Sequence, residues 1–186
     1  QRWVDMSNDQ RGVTWTGIEA PLIELGDITA NIIGGAHGAQ YWLPHLKETQ
    51  TLFSWALNNH WHTNFPLQQG GLIPFHYAIL PHGAYDPVTA NRFGVEQNRP
   101  LIAVPSEKNP VETPLVTLDN PRVFISTIKP SEDGQATILR LRSVSNNTEI
   151  VKLTWPAAQP KSIRNCSADE LPKDSAGESI AMLPEG

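Results

Sequence analysis

Sixteen prolines and thirteen glycines punctuate the 186 residues and argue against long helices. Proline cannot donate a backbone hydrogen bond, and glycine weakens any regular element it interrupts. The intervening runs are short and rich in β-branched or alternating residues, which is the pattern of antiparallel strands. Helical periodicity is weak throughout, so the expected fold is all-β. Strands are expected at Arg2 to Met6, Gly12 to Trp15, Pro21 to Leu25, Phe53 to Leu57 and Ile73 to Leu80, with Ser7 to Gly12 supplying the first turn. In the last of these, Phe75, Tyr77 and Ile79 alternate with His76, Ala78 and Leu80.

From Val104 to Pro121 the sequence turns proline-rich and locally charged, as expected of a connection between two sheets. A second β pattern follows: Arg122 to Lys129, a Pro130 to Gly134 turn, Ala136 to Ser143, a Ser145-Asn146-Asn147 turn, and Thr148 to Trp155. Three strands joined by tight turns predict a meander that needs another layer over its apolar face. Ser167 to Gly186 is polar and weakly patterned, fitting one edge strand or a fraying end. The division expected is a β-sandwich portion over 1–104, a linker over 105–120 and a small β domain over 121–186.

A net charge of −5 and a pI of about 5.6, with Lys and Arg scattered, argue against a nucleic-acid partner. The apolar runs are too short for a membrane-spanning helix, so no membrane partner is expected. Cys166 is the only cysteine, which excludes an intramolecular disulfide and a cysteine zinc set; it reads as a small buried or half-buried thiol. The chain opens on Gln1 and runs directly into strand-like sequence, so it reads as a piece of a longer protein.

The chemically richest stretch runs from Thr49 to Tyr85, without a single Asp, Glu, Lys or Arg. At its centre stand Asn58, Asn59, His60, Trp61, His62, Thr63, Asn64 and Phe65, and beyond them His76 and His82. Neutral amides and rings bury apolar area while keeping hydrogen-bonding groups, which suits a polyhydroxylated ligand, an interdomain surface or a polar core. His60 and His62 would share one face of a strand, but a zinc site needs further ligands, and the stretch holds no carboxylate. No metal site is therefore expected. Asn58, Asn59, His60, Trp61, His62, Asn64 and His82 are the residues expected to meet substrate or another domain.

Catalytic arrangements find little support. Glycoside hydrolysis needs two facing carboxyl groups, yet Asp5, Asp9, Glu24 and Asp27 read as solvated turn or strand positions, and Glu132-Asp133 as part of a hairpin turn. No Ser lies in a Gly-x-Ser-x-Gly context. Gly34-Gly35-Ala36-His37-Gly38 lacks the lysine and following helix of a phosphate loop. The sequons at Asn146 and Asn165 are short enough to arise by chance. No catalytic residue is expected.

Taken together, several phrases resemble the C-terminal β region of glycoside hydrolase family 38, the α-mannosidases and their bacterial relatives. They are Arg2-Trp3-Val4-Asp5-Met6-Ser7-Asn8 with Gly12-Val13, Asn58 to Phe65, Phe75-His76-Tyr77 with Pro81-His82-Gly83, and Ile128 to Gly134 with Ile138-Leu139-Arg140-Leu141. The resemblance implies the end of a large mutarotase-like β-sandwich followed by a small terminal antiparallel β domain. It also implies an upstream catalytic domain in the same polypeptide, carrying zinc and an aspartate nucleophile that have no counterpart here. This fragment would then be catalytically silent, supporting that domain and walling its sugar site, with mannose-containing glycans as further partners. The alternatives are an independent carbohydrate-binding module, with Trp42, Trp55 and Trp61 stacking on sugars, or a purely structural assembly domain.

Overall fold

The computed structural model describes residues 2–26, 48–57, 66, 68–105, 107, 109 and 113–184. They form antiparallel strands in several small sheets, with one helix, and bear out the all-β expectation. The chain divides into two compact units: residues 1–86 with 92–100, and residues 87–91 with 101–186.

In the first unit, β1 (Trp3–Ser7) and β2 (Gly12–Gly17) form a hairpin, closed where the Asn8 carboxamide oxygen accepts the amides of Gln10 and Arg11, each at 2.9 Å. This is the turn chemistry that short Asn side chains offer a backbone. Two short strands, β3 (Ile23–Leu25) and β4 (Leu52–Ser54), pair separately, and β5 (Tyr77–His82) joins β2 to give the order β1-β2-β5. The register places Asp5 opposite Thr14 and Gly12 opposite His82.

Strand alternation then divides this sheet into two unlike faces. One carries Val4, Met6, Val13, Trp15, Tyr77, Ile79 and Pro81; the other carries Trp3, Asp5, Ser7, Thr14, Thr16, Ala78, Leu80 and His82. The mostly polar face is the more covered one. Thr14 and Thr16 are fully buried, whereas Tyr77 and Ile79 keep 43% and 60% of their surface exposed.

Helical periodicity is weak here as elsewhere, yet α1 (Pro87–Asn98) is a regular helix. Its start is marked by Asp86-Pro87, since proline is well suited to a first helical position. Its Arg92–Asn98 portion belongs to the first unit and seats on the polar sheet face. A Cβ on Gly94 would fall within the Trp3 indole, so only glycine permits that approach. Asn98 donates from Nδ2 to Thr16 Oγ1 at 2.8 Å, and Thr16 in turn donates to the Arg2 carbonyl at 2.7 Å.

In the second unit, β6 (Thr117–Leu118) lies inside the stretch expected to be a connection and pairs with β9 (Glu149–Thr154). Between them run β7 (Val123–Pro130) and β8 (Thr137–Ser143), a hairpin whose ladder is interrupted by a bulge at Ser126. Its turn has Gly134 at φ +69° and Asp133 accepting from the Ser131 hydroxyl and the Gln135 amide.

The expected three-strand meander does not form. After β8 the chain turns through Val144–Thr148, where the Ser143 and Ser145 hydroxyls accept the amides of Ser145 and Asn147, and β9 joins a different sheet, ordered β12-β9-β6. The ladder positions along β9 are taken by β6 and by Ser179–Met182, segments distant in sequence, in place of β8, and on the sheet so formed Val151 and Leu153 are almost fully buried while Ile150 is exposed. β12 (Ser179–Met182) is an edge strand on β9, within the tail where one was expected. A further hairpin of β10 (Arg164–Cys166) and β11 (Pro172–Ser175) precedes it, and Cys166 is exposed there rather than buried. No described helix is long and apolar enough to cross a membrane.

Candidate functional site

The densest described cluster of polar chemistry lies on the covered face of β1-β2-β5. Asp5 accepts from three side chains: Ser7 Oγ at 2.8 Å, Thr14 Oγ1 at 2.5 Å and His82 Nε2 at 2.7 Å. The strand register brings Thr14 directly beside Asp5, while His82 must reach over β2 from the next row. It can do so because Gly12, its cross-strand partner, has no side chain; a Cβ there would lie 2.5 Å from His82 Cε1. Asp5 and His82 retain only 7% and 14% of their side-chain exposure. The reading of Asp5 as a solvated acid is therefore corrected: it is an interior carboxylate whose oxygens are occupied by donors.

His82 also approaches the Gly83 carbonyl with Nδ1, at 3.0 Å. Both of its neighbours are acceptors, an arrangement that is fully satisfied when both ring nitrogens carry hydrogen. Burial acts most strongly on this group and opposes the charge. The Asp5 hydrogen bond, the Gly83 carbonyl, the Asp5 charge and the Ala84 carbonyl together outweigh it and raise the pKa above its ordinary value. Tyr85 sits nearby, its phenol pushed up by burial and then by the charges of Asp5 and Asp86.

A second His–carboxylate pair is built differently. Glu19 accepts the His76 backbone amide at 2.7 Å and pairs with His76 Nδ1 at 2.8 Å, pinning the chain before β5 to the end of β2. Both side chains are well exposed. The two bonds to His76, the backbone one first, lower the Glu19 pKa, but solvent weakens the contribution such a pair makes to stability. On the apolar face, Trp15 stacks on Tyr77 at 5.5 Å between ring centroids, and Tyr77 shares a 3.0 Å hydrogen bond with Ser54.

In the second unit Asn120 is the polar organiser. Its Nδ2 donates to Glu149 Oε2 and to the Ile150 carbonyl, while its Oδ1 accepts the Arg122 amide. Glu149 is held below the usual carboxylate range by the Ser145 hydroxyl first, then Asn120 and Arg122. Lys129 pairs with Glu170, a residue in the left-handed backbone region at φ +67°.

Of the residues expected to meet a ligand or domain, Asn58, Asn59, His60, Trp61, His62 and Asn64 lie outside the described residues, as do Trp42, Asp27 and the Gly34–Gly38 loop. His82 is described and is committed to Asp5 and Gly83. Trp55 is half-buried. Sequence reasoning passed over Asp5 and Thr14, although Asp5, Ser7, Thr14 and Thr16 at two-residue spacing already trace one polar face across the first hairpin. Among the described residues no three His, Cys, Asp or Glu side chains converge as ligands for a metal ion, so they do not fit a zinc site.

Residues 122–183 match the family model of the glycosyl hydrolases family 38 C-terminal beta sandwich domain. That stretch includes β7 to β12, and of the phrases that carry the resemblance it contains Ile128 to Gly134 and Ile138 to Leu141, so the match supports the resemblance to the C-terminal region of this family. No curated protein matches the chain, and no solved structure does.

Proposed function

We propose that this chain is a non-catalytic C-terminal β region of an α-mannosidase-like glycoside hydrolase, supporting a catalytic domain elsewhere in the same polypeptide. In this reading the charge-free stretch from Thr49 to Tyr85 faces that domain and walls its sugar site. Zinc and the nucleophilic aspartate belong to the catalytic domain, and no step of hydrolysis passes through the residues described above. The observation that carries the proposal is the match of residues 122–183 to a C-terminal domain of this hydrolase family. The commitments of the described carboxylates agree with a supporting role. Asp5 and Glu149 are occupied by hydrogen-bond donors, an arrangement that fixes strands and leaves neither group placed as an acid or nucleophile toward a sugar.

The test is hydrolysis of an aryl α-mannoside by the purified chain, with and without added zinc. No turnover above a heat-treated control is expected. Turnover abolished by a substitution within this chain would overturn the proposal. Calorimetric titration with mannose and short mannosides is expected to give no saturable response; saturable binding would favour an independent carbohydrate-binding module.

A further inference from the structure

We propose that Asp5 and His82 form a proton-dependent latch on the covered face of the first sheet. A protonated His82 ties the end of β5 to the middle of β1 across β2, and loss of that proton releases the seam. Both ring nitrogens face acceptors. Nε2 faces Asp5 Oδ2 at 2.7 Å and Nδ1 faces the Gly83 carbonyl at 3.0 Å. A neutral imidazole has one N–H, so one of these acceptors would then face a lone pair in a largely water-free place. Either loss has structural consequences. The Asp5 bond bridges two strands that do not pair with each other, and the Gly83 bond sets the path of the chain as it leaves β5.

The groups around this ring are mostly acidic or uncharged. On β1 the titratable group facing it is Asp5, on β2 the facing positions are Gly12 and Thr14, and after β5 come Tyr85 and Asp86. Two helix residues that touch this sheet face, Gly94 and Asn98, do not titrate. Asp5, Tyr85 and Asp86 are neutral or negative around neutral pH, so they favour retention of the proton and cannot replace it. Gly12 is part of the device, because the bridging ring lies where any side chain at that position would stand.

The test is a titration of the 186-residue chain followed by imidazole nitrogen NMR, with amide exchange of β1 and β5 measured across the same pH range. His82 should keep both N–H groups at a pH where an ordinary imidazole, with its pKa near 6.5, has lost one. As His82 finally titrates, protection of the β1 and β5 amides should fall by about tenfold after correction for intrinsic exchange. Asp5→Asn should lower the His82 pKa, because the Asp5 hydrogen bond and charge are lost and the Gly83 and Ala84 carbonyls alone then oppose burial. A native His82 singly protonated at pH 6, or β1 and β5 protection that stays constant through its titration, would overturn the proposal. The wild-type titration decides the matter even where Asp5→Asn does not fold.

Discussion

The first and second units close their sheets with opposite chemistry. In the first, the covered face of β1-β2-β5 is a hydrogen-bonded array of Asp5, Thr14, Thr16 and His82, while Tyr77 and Ile79 remain substantially exposed. In the second, the covered row on β9 is Val151 and Leu153, and its polar groups gather at the Asn120–Glu149 corner. Aliphatic burial tolerates small misplacements and is graded with area. A buried polar array is costly when any member lacks its partner, so it specifies one geometry and depends on protonation. The two units should therefore fail under different insults.

The largest effect is expected where packing is most complete. Leu153→Ala should cost about 4 kcal/mol through lost burial and the cavity left behind, read as reduced denaturant resistance of the β6-β9-β12 amides. Asp5→Ala should follow at about 3 kcal/mol, because it leaves the Thr14 hydroxyl and the His82 ring without their shared buried acceptor, and the β1-β2-β5 amides should lose protection first. Gly12→Ala should cost about 2 kcal/mol by crowding both Ser7 and the His82 ring, and by displacing that ring should lower its pKa at the same time. A cavity mutation of equal cost elsewhere would leave the pKa unchanged, which separates the two causes. The smallest expected effect is at Glu149. Its folded pKa is depressed, so its contribution is present above the ordinary carboxylate value of 4.5 and is lost as pH falls through the folded value. Glu149→Gln should therefore cost the second unit a little stability at neutral pH, a difference that fades as pH falls through the folded value, so that the variant is less acid-sensitive than the native chain.

The contrast also explains what could be read from the sequence. Punctuation placed most strands within a few residues, because Asn8, the Pro130–Gly134 turn and the Ser145–Asn147 turn act locally and carry their own chemistry. The helix was missed because Pro87–Asn98 has no continuous apolar stripe. Its seat is a contact of Gly94 with Trp3, distant in sequence, although Asp86-Pro87 announced its start. The pairing of β9 was misread because a nearby turn favours the preceding strand, whereas the partners of β9 come from Thr117–Leu118 and Ser179–Met182. Asp5 was misread for a deeper reason. Alternation shows which residues share a face, but the usual rule assigns the apolar face to the interior, and here the polar face is the covered one. Only the combination of Asp5 and Thr14 with a histidine opposite Gly12 signals that inversion, and it becomes visible once the register is known.

The claim that the two units are closed by opposite chemistry is tested most directly by residue-resolved amide exchange of the intact chain from pH 5 to pH 9. His82 has a raised folded pKa, so its stabilisation is complete below the ordinary histidine value and drains away as pH rises through the folded one. The account predicts that β1, β2 and β5 lose protection toward alkaline pH while β6, β9 and β12 hold theirs. Parallel loss in both sheets, or alkaline loss confined to the second, would contradict it.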